Sequence, residues 1–128
     1  MIYLDTSVAL AHLLAEDRQP PESLWSESLV ASRLLEYELW ARVQARRLTA
    51  SHGELVRGLT ARVAFLELAP DVLGRALEPF PTSVRTLDAI HLASVEFLRS
   101  QQIDVHLASY DERMLAAARR LQIPLFRL

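Results

Sequence analysis

The sequence predicts an α/β protein: a three-layer α/β/α domain built on a small parallel sheet. Short apolar runs that suit buried strands alternate along the chain with longer segments of helical apolar spacing. This order places helices on both faces of a parallel sheet. The chain has 128 residues, of which 51% are hydrophobic, enough for one hydrophobic core. We therefore expect residues 1–128 to form a single domain.

The predicted strands are short apolar runs bounded by polar or turn residues. Strands of a parallel sheet are buried on both faces and therefore read as nearly continuous apolar segments. The first of these runs ends directly before Asp5. We expect five strands, at residues 2–4, 29–31, 65–68, 105–108 and 125–127.

The helical segments are marked by capping residues as well as by apolar spacing. Thr6 or Ser7 is expected to cap the first helix, and Ser32 the third. Ser51, with Glu54 three residues later, forms a candidate capping box for the fourth. We expect helices at residues 8–16, 21–25 and 33–48, one that begins near residue 51, and others at 70–77, 86–99 and 111–121.

The composition excludes several classes of function. The chain has no cysteine, which removes disulfides and thiolate metal sites, and no lysine, which removes Walker phosphate loops and Schiff-base catalysis. A net charge of -2 argues against a generally basic nucleic-acid binder. No apolar run approaches the ~18 residues of a membrane span, and no signal peptide is recognisable. We therefore expect a cytoplasmic protein without a membrane segment.

Four acidic residues stand out because of where they fall in this pattern. Asp5 ends the first strand, Asp111 follows the fourth, and Glu38 and Asp88 lie early in helical segments. Strand ends and helix starts meet at one edge of a parallel α/β sheet, so we expect one acidic pocket there. Mg²⁺ and Mn²⁺ prefer such oxygen ligands, and ions of this kind promote phosphodiester cleavage by activating water.

Four short motifs carry a resemblance to a known family. They are LDTS at residues 4–7, SRLLEYEL at 32–39, RTLDAIHLA at 85–93 and ASYD at 108–111. Their order and spacing resemble those of PIN domains and, within that family, the VapC ribonuclease toxins of type II toxin–antitoxin systems. The third motif is the most specific. The fourth departs from the commonest pattern, in which Thr or a second acidic or Asn residue stands near Ser109 and Tyr110.

The resemblance implies a PIN-like domain that cleaves RNA phosphodiesters by metal-activated water. Mg²⁺ or Mn²⁺ is the implied cofactor, a VapB-like antitoxin the implied partner and a homodimer the implied assembly. The implied catalytic and metal-binding residues are Asp5, Glu38, Asp88 and Asp111. The small hydroxyl residues that would orient these ligands are Thr6, Ser7 and Ser109.

Several of these acids also have a structural interpretation. Asp5 and Asp111 are suited to act as helix N-caps, and Asp88 is suited to pair with Arg85 one turn earlier. Glu36 competes with Glu38 in the second motif. Two helical steps turn about 200°, so the two glutamates point to nearly opposite sides, and the motif register selects Glu38.

The basic residues and the histidine near these motifs leave further alternatives open. Arg85 and Arg42 are candidate contacts to RNA phosphates, although helix arginines are commonly solvated. His91 is expected to be a packed or hydrogen-bonded helix histidine rather than a metal ligand. Two other functions would use the same acids: a non-toxin PIN-type nuclease acting on structured DNA or RNA, and a non-catalytic Mg²⁺-binding adaptor domain.

Overall fold

The computed structural model describes all 128 residues and contains a four-stranded parallel sheet. The strands are β1 Ile2–Leu4, β2 Leu29–Ser32, β3 Val63–Leu66 and β4 His106–Ala108. Their order across the sheet is β3-β2-β1-β4. β1 therefore lies between β2 and β4, and Asp5 follows directly after this inner strand.

Six α-helices and one short 3-10 helix connect the strands. They are α1 Thr6–Leu13, α2 Leu34–Ala45, α3 Thr49–Thr60, α4 Pro70–Ala76, α5 Thr86–Ser100 and α6 Glu112–Arg120, with the 3-10 helix at Glu22–Ser26. Parallel neighbours in a sheet need such crossover connections. None of the helices combines the length and the apolar character that crossing a membrane requires.

The sheet buries a separate apolar cluster on each face, which is the predicted three-layer arrangement. Ile2 and Leu4 of β1 belong to the cluster shared with α1, α2 and α3, whereas Tyr3 belongs to the cluster shared with α5 and α6. This alternation is the two-residue period of a strand. The helices contribute Val8, Leu35, Leu39 and Val56 to the first cluster, and Leu92, Val95, Leu98 and Met114 to the second.

The predicted fold class is confirmed, but some element boundaries differ. β3 covers Val63–Leu66 rather than residues 65–68, because β2 pairs with it from Leu29 opposite Val63 to Ser32 opposite Leu66. The expected fifth strand at residues 125–127 is reduced to a single bridge between Leu107 and Leu125. The sheet therefore has four strands instead of five.

The capping predictions for α2 and α3 have opposite outcomes. The N-cap position of α2 is Arg33, whose side chain makes no capping bond, but the hydroxyl of Ser32 accepts a hydrogen bond from the amide of Leu34 at 3.1 Å and so supports the start of the helix. α3 begins at Thr49, two residues earlier than expected. The capping box at Ser51 is therefore wrong, and the Ser51 hydroxyl instead donates to the carbonyl of Leu48.

Candidate active site

Asp5 is held firmly where β1 meets α1. Its Oδ2 accepts hydrogen bonds from the Ser7 hydroxyl at 2.6 Å, the Ser109 hydroxyl at 2.8 Å and the Ser7 amide at 3.4 Å. Asp5, rather than Thr6 or Ser7, is therefore the N-cap of α1, where its negative charge also complements the helix dipole. The residue is only 4% exposed, and its other oxygen, Oδ1, has no hydrogen-bond partner within the protein.

Ser7 and Ser109 join the ends of β1 and β4 around Asp5. The Ser7 hydroxyl accepts a hydrogen bond from the amide of Tyr110 at 2.9 Å, and the Ser109 hydroxyl accepts one from the amide of Asp111 at 3.0 Å. Each hydroxyl therefore donates its proton to Asp5 and uses a lone pair on the loop between β4 and α6. These contacts are of the kind expected for residues that orient an acidic ligand.

Glu38 reaches the same edge of the sheet from α2. Its Oε1 accepts a hydrogen bond from the Thr6 hydroxyl at 2.8 Å and lies 2.6 Å from Nε2 of His91. Its Oε2 has no hydrogen-bond partner within the protein. Thr6, which the sequence grouped with the hydroxyl residues around the acids, thus orients Glu38.

His91 on α5 is buried between Glu38 and Tyr3. Its Nδ1 lies 2.8 Å from the hydroxyl of Tyr3, which in turn accepts the amide of Ser32 at 3.1 Å. Burial would by itself lower the pKa of His91, but the hydrogen bond to Glu38 and the surrounding carboxylate charges raise it above its ordinary value. Burial also raises the pKa of Tyr3, so its hydroxyl stays protonated. His91 is thus the hydrogen-bonded helix histidine that the sequence predicted.

Arg85 bridges Asp88 and Asp111 at the mouth of the site. Its Nε donates to Oδ2 of Asp88 at 3.3 Å, and a terminal nitrogen donates to Oδ2 of Asp111. The Arg85 side chain is 64% exposed. Asp111 is also the N-cap of α6, because its Oδ1 accepts the amide of Met114 at 3.0 Å. The ion pair and the cap that the sequence left open are therefore both present.

The two carboxylates that share Arg85 have opposite pKa shifts. Burial and the negative charge of Asp111 raise the pKa of Asp88, and the contact with Arg85 offsets this only in part. Burial acts in the same direction on Asp111, but the amide of Met114 and the guanidinium of Arg85 together lower the pKa of Asp111. Neighbouring acids whose pKa values are driven apart are common at functional sites.

These side chains surround one cavity of about 640 Å³ at the carboxyl edge of the sheet. The predicted site residues that line it are Asp5, Thr6, Ser7, Glu38, Arg42, Arg85, Asp88 and Asp111, and His91 joins them. Ser109 lies behind this lining, in contact with Asp5. Glu36 instead pairs with Arg33 on the exposed side of α2 at 2.8 Å, as the helical angle between the two glutamates predicts.

The donor chemistry of the cavity suits a hard cation, although no ready-made metal cluster exists. No three His, Asp or Glu side chains are grouped so that they could hold a metal ion. Mg²⁺, however, usually takes one or two carboxylates and keeps several waters, so a preformed set of three is not required. Asp5, Glu38 and Asp88 each keep one oxygen free of hydrogen bonds within the protein. Both oxygens of Asp111 are engaged, by Arg85 and by the start of α6.

Two of the site contacts that were not predicted from the sequence join distant positions of the chain. Arg85 bonds Asp111, which lies 26 positions further along the chain, and Tyr3 bonds His91, which lies 88 positions away. The second contact has a sequence signal, because Tyr3 is the one residue with a hydroxyl in an otherwise aliphatic strand. A buried tyrosine hydroxyl usually has a hydrogen-bond partner.

The fold and the site together define an α/β/α protein with an acidic cavity at the carboxyl edge of a parallel sheet. The sequence profile of the PIN domain matches residues 2–120. The chain therefore belongs to the PIN domain family, as the four motifs indicated.

Individual relatives agree with this family. Ribonuclease VapC47 of Mycobacterium tuberculosis (strain CDC 1551 / Oshkosh) is 31% identical over an alignment of 128 positions, which covers 94% of this chain and 92% of that protein. A toxin–antitoxin complex from Klebsiella pneumoniae is similar in fold, with a TM-score of 0.69, 15% identity and 91% of each chain covered. VapC20 of Mycobacterium tuberculosis, described as a sarcin-ricin loop cleaving toxin, matches with a TM-score of 0.66 and 20% identity over 91% of this chain and 95% of that one.

Proposed function

We propose that this chain is a metal-dependent endoribonuclease and the toxin of a type II toxin–antitoxin system, acting as one PIN-like domain. The observation that carries the proposal is the meeting of Asp5, Glu38 and Asp88 in one cavity, each with a carboxylate oxygen free of hydrogen bonds. Family membership and the ribonuclease name of the 31% identical relative support the same activity. RNA is therefore the proposed substrate, and the cytoplasm the proposed compartment.

Asp5, Glu38 and Asp88 are the proposed ligands for Mg²⁺ or Mn²⁺, one or two of them directly and the others through metal-bound water. The cavity offers carboxylate oxygens and no thiolate, which is the donor set that these ions prefer. When bound, such an ion would polarise the phosphodiester and lower the pKa of the attacking water. Asp111 is proposed to act at the edge of the site, because both of its oxygens already have partners within the protein.

The hydroxyl side chains are proposed to hold the acids in register during the reaction. Ser7 and Ser109 fix one oxygen of Asp5, which leaves the other available to the cavity. Thr6 does the same for Glu38. Without these bonds the carboxylates would be free to turn away from one another, since their charges repel. Loss of such orienting contacts typically lowers metal affinity or activity about 10- to 100-fold.

Arg85 and Arg42 are proposed to contact RNA phosphates. Both line the cavity, and an acidic cavity repels a phosphodiester unless nearby cations offset the repulsion. Arg85 is exposed, and exposed ion pairs are weak, so an RNA phosphate could replace one of its carboxylate partners. The chain is acidic overall, so these two guanidinium groups would provide local, salt-dependent attraction.

A flexible antitoxin segment and a second copy of the chain are the proposed protein partners. Tyr37 and Leu87 are exposed and line a groove beside the cavity, where an extended or helical segment could bury them and direct a basic side chain toward the acids. Binding would have to offset the entropy of ordering that segment. Leu73 and Leu77 on and just after α4 are also exposed, and they form the proposed contact of a homodimer.

RNA cleavage by matched glutamate variants tests the proposed activity. Purified chain should cleave RNA with Mg²⁺ or Mn²⁺ and stop when EDTA is added. Glu38→Gln should reduce the rate by about 10²-fold or more, the scale of one essential catalytic group. Glu36→Gln, two residues away on the exposed side of the same helix, should cleave at the wild-type rate.

The cleavage assay, together with Mn²⁺ calorimetry, separates the proposed function from its alternatives. Cleavage that survives EDTA, or equal rates for the two glutamate variants, would contradict the metal site proposed here. Cleavage of structured DNA in preference to RNA would favour a non-toxin nuclease. Mn²⁺ binding by calorimetry without cleavage of any RNA or DNA would favour the adaptor function.

A further inference from the structure

A buried chain of hydrogen bonds runs from the end of β2 to the acidic cavity. The amide of Ser32 donates to the Tyr3 hydroxyl at 3.1 Å, and that hydroxyl lies 2.8 Å from Nδ1 of His91. On the other side of the ring, Nε2 of His91 lies 2.6 Å from Oε1 of Glu38. Tyr3 and His91 are 0% and 1% exposed, so water does not compete for these bonds.

The contacts determine which nitrogen of His91 carries a proton. Oε1 of Glu38 is an acceptor, so a lone pair on Nε2 at 2.6 Å would be repelled by it. Nε2 must therefore be the donor to Glu38. The Tyr3 hydroxyl already accepts the amide of Ser32, so it donates its own proton to Nδ1 whenever the ring is neutral. In this arrangement each donor in the series of hydrogen bonds meets an acceptor, and the imidazole ring of His91 has a fixed orientation.

The same geometry excludes His91 as a direct participant in the reaction. Both ring nitrogens are engaged, and the ring contributes to the lining of the cavity while remaining almost completely inaccessible. Its one contact with a proposed ligand is the bond to Glu38. Nε2 also lies 3.3 Å from the Thr6 hydroxyl, the second group that holds Glu38. His91 therefore holds the Glu38 carboxylate through its own hydrogen bond, and it also contacts Thr6, which holds the same carboxylate oxygen.

We propose that His91, held in place by Tyr3, is a positioning residue that aims the free oxygen of Glu38 into the cavity. The inference rests on the proposed function, because it assigns His91 a task only if Glu38 serves a metal-dependent site. Glu38 extends from α2 toward acids that repel it, and a short hydrogen bond to a rigid, buried donor keeps it in the cavity. Tyr3 links this task to β1, the strand that also presents Asp5.

Three variants separate positioning from packing. His91→Leu removes both nitrogens, Tyr3→Phe removes only the hydroxyl that holds the ring, and His91→Gln can restore a donor near the position of Nε2. Mn²⁺ binding by calorimetry is the first readout. We expect about 10- to 100-fold weaker binding in His91→Leu, a smaller loss in Tyr3→Phe and partial recovery in His91→Gln. Tyr3→Phe retains the ring and its packing, so it tests the inference even if His91→Leu fails to fold.

A double-mutant cycle with Glu38→Ala supplies the readout that a purely structural role would not change. If His91 acts through Glu38, adding His91→Leu or Tyr3→Phe to Glu38→Ala should weaken Mn²⁺ binding no further. His106→Leu is the matched control. Nε2 of His106 also faces a carboxylate, Asp104 at 3.5 Å, but at the opposite end of the strands, and this variant should bind Mn²⁺ like the wild type.

Proton NMR of the histidine ring makes the failure of this inference distinguishable from failure of the proposed function. We expect a slowly exchanging Nε2 proton of His91 in the wild type that is lost in Glu38→Ala. Wild-type cleavage of RNA without that proton, unchanged Mn²⁺ affinity in Tyr3→Phe and His91→Leu, or full additivity in the cycle would overturn the positioning role alone. A wild type that shows the proton but neither binds Mn²⁺ nor cleaves RNA would overturn the proposed function and the positioning role together.

Discussion

Replacing Asp88 by Asn should stabilise the metal-free protein while it removes activity. Asp88 lies in the cavity near Asp111 and Asp5, and burial together with these charges raises its pKa. The ionised carboxylate is therefore held in a position that the folded chain disfavours. Asparagine has nearly the same shape without the charge, so the substitution removes the electrostatic cost and leaves the packing intact. It also removes a proposed metal ligand.

The expected size of the effect follows from two opposing contributions. Loss of the 3.3 Å bond from Arg85 costs little, because Arg85 is 64% exposed and keeps its bond to Asp111; exposed pairs contribute about 0.2–1 kcal/mol. Relief of burial and repulsion acts in the other direction and outweighs it, since the net pKa shift is upward. We expect a net stabilisation of about 0.5–1 kcal/mol. For 128 residues the unfolding entropy is about 0.27 kcal/mol/K, so Tm should rise by about 2–4 °C.

The sign of the pH dependence provides the sharper assay. A carboxyl group whose pKa is higher in the folded state binds its proton more tightly there, so the wild type loses stability relative to Asp88→Asn as pH rises from the unfolded pKa of about 3.9. Thermal unfolding in EDTA should therefore give similar Tm values at pH 4 and a higher Tm for Asp88→Asn at pH 7.5.

Asp104→Asn is the control for loss of one negative charge. Its side chain is 91% exposed, so its Tm should match the wild type at both pH values. A lower Tm for Asp88→Asn than for the wild type at pH 7.5 would refute the reasoning. It would show that Asp88 is held mainly as the ion-pair partner of Arg85.

Three further perturbations follow from the contacts described above. Ser109→Ala removes one of three hydrogen bonds to Oδ2 of Asp5 and should weaken Mn²⁺ binding about 10-fold. The far-UV circular dichroism should stay unchanged. Unaltered binding would show that Ser109 does not orient Asp5. Arg85→Gln should reduce the slope of log affinity for RNA against log salt by about 1, measured by fluorescence anisotropy on a catalytically inactive background, and an unchanged slope would exclude a phosphate contact. Gln102, just after α5, has a left-handed backbone conformation with φ 63°. Gln102→Gly should therefore raise the free energy of unfolding, measured by urea denaturation, by about 0.5–1 kcal/mol. A destabilised variant would indicate that the Gln102 side chain makes an important contact.

The fold, and the edge of the sheet at which the candidate acids meet, could be predicted because both depend on local patterns. Strands of three or four mostly apolar residues, each followed by a helix, specify a parallel sheet, and functional side chains commonly meet at the carboxyl edge of such a sheet. Asp5 reaches this edge because it directly follows β1, and Asp111 because it comes three residues after the end of β4; each caps the next helix. Helical geometry likewise placed Glu36 and Glu38 on nearly opposite sides of α2, and the motif register selected Glu38 without knowledge of the tertiary structure.

The contacts that distinguish the acids from one another depend on tertiary structure and were therefore not predictable. The bond between Tyr3 and His91 requires the register of β1 against α5, and the bridge from Arg85 to Asp111 requires the loop after β4 to lie beside the start of α5. The start of α3 at Thr49 was missed for a local reason instead. Local capping chemistry favoured Ser51. The turn after α2 ends at Arg47, however, and Leu48 is the N-cap residue, so α3 begins at Thr49.

The four acids are unequal, and their hydrogen bonds explain why. Oδ2 of Asp5 is fixed by two hydroxyls, and Oε1 of Glu38 by a hydroxyl and a buried imidazole. Both acids are thus held with one oxygen free, which is the preorganisation a cation site needs. Asp88 is held only by an exposed arginine and has a raised pKa. A bound cation would therefore stabilise the ionised form of Asp88 most, because it would replace Arg85 and offset the repulsion between the carboxylates. Both oxygens of Asp111 already have partners within the protein, so a bound cation would stabilise Asp111 least. Substitution of Asp111 should therefore reduce the stability of α6 more than it reduces Mn²⁺ affinity, whereas substitution of Asp5 should do the reverse.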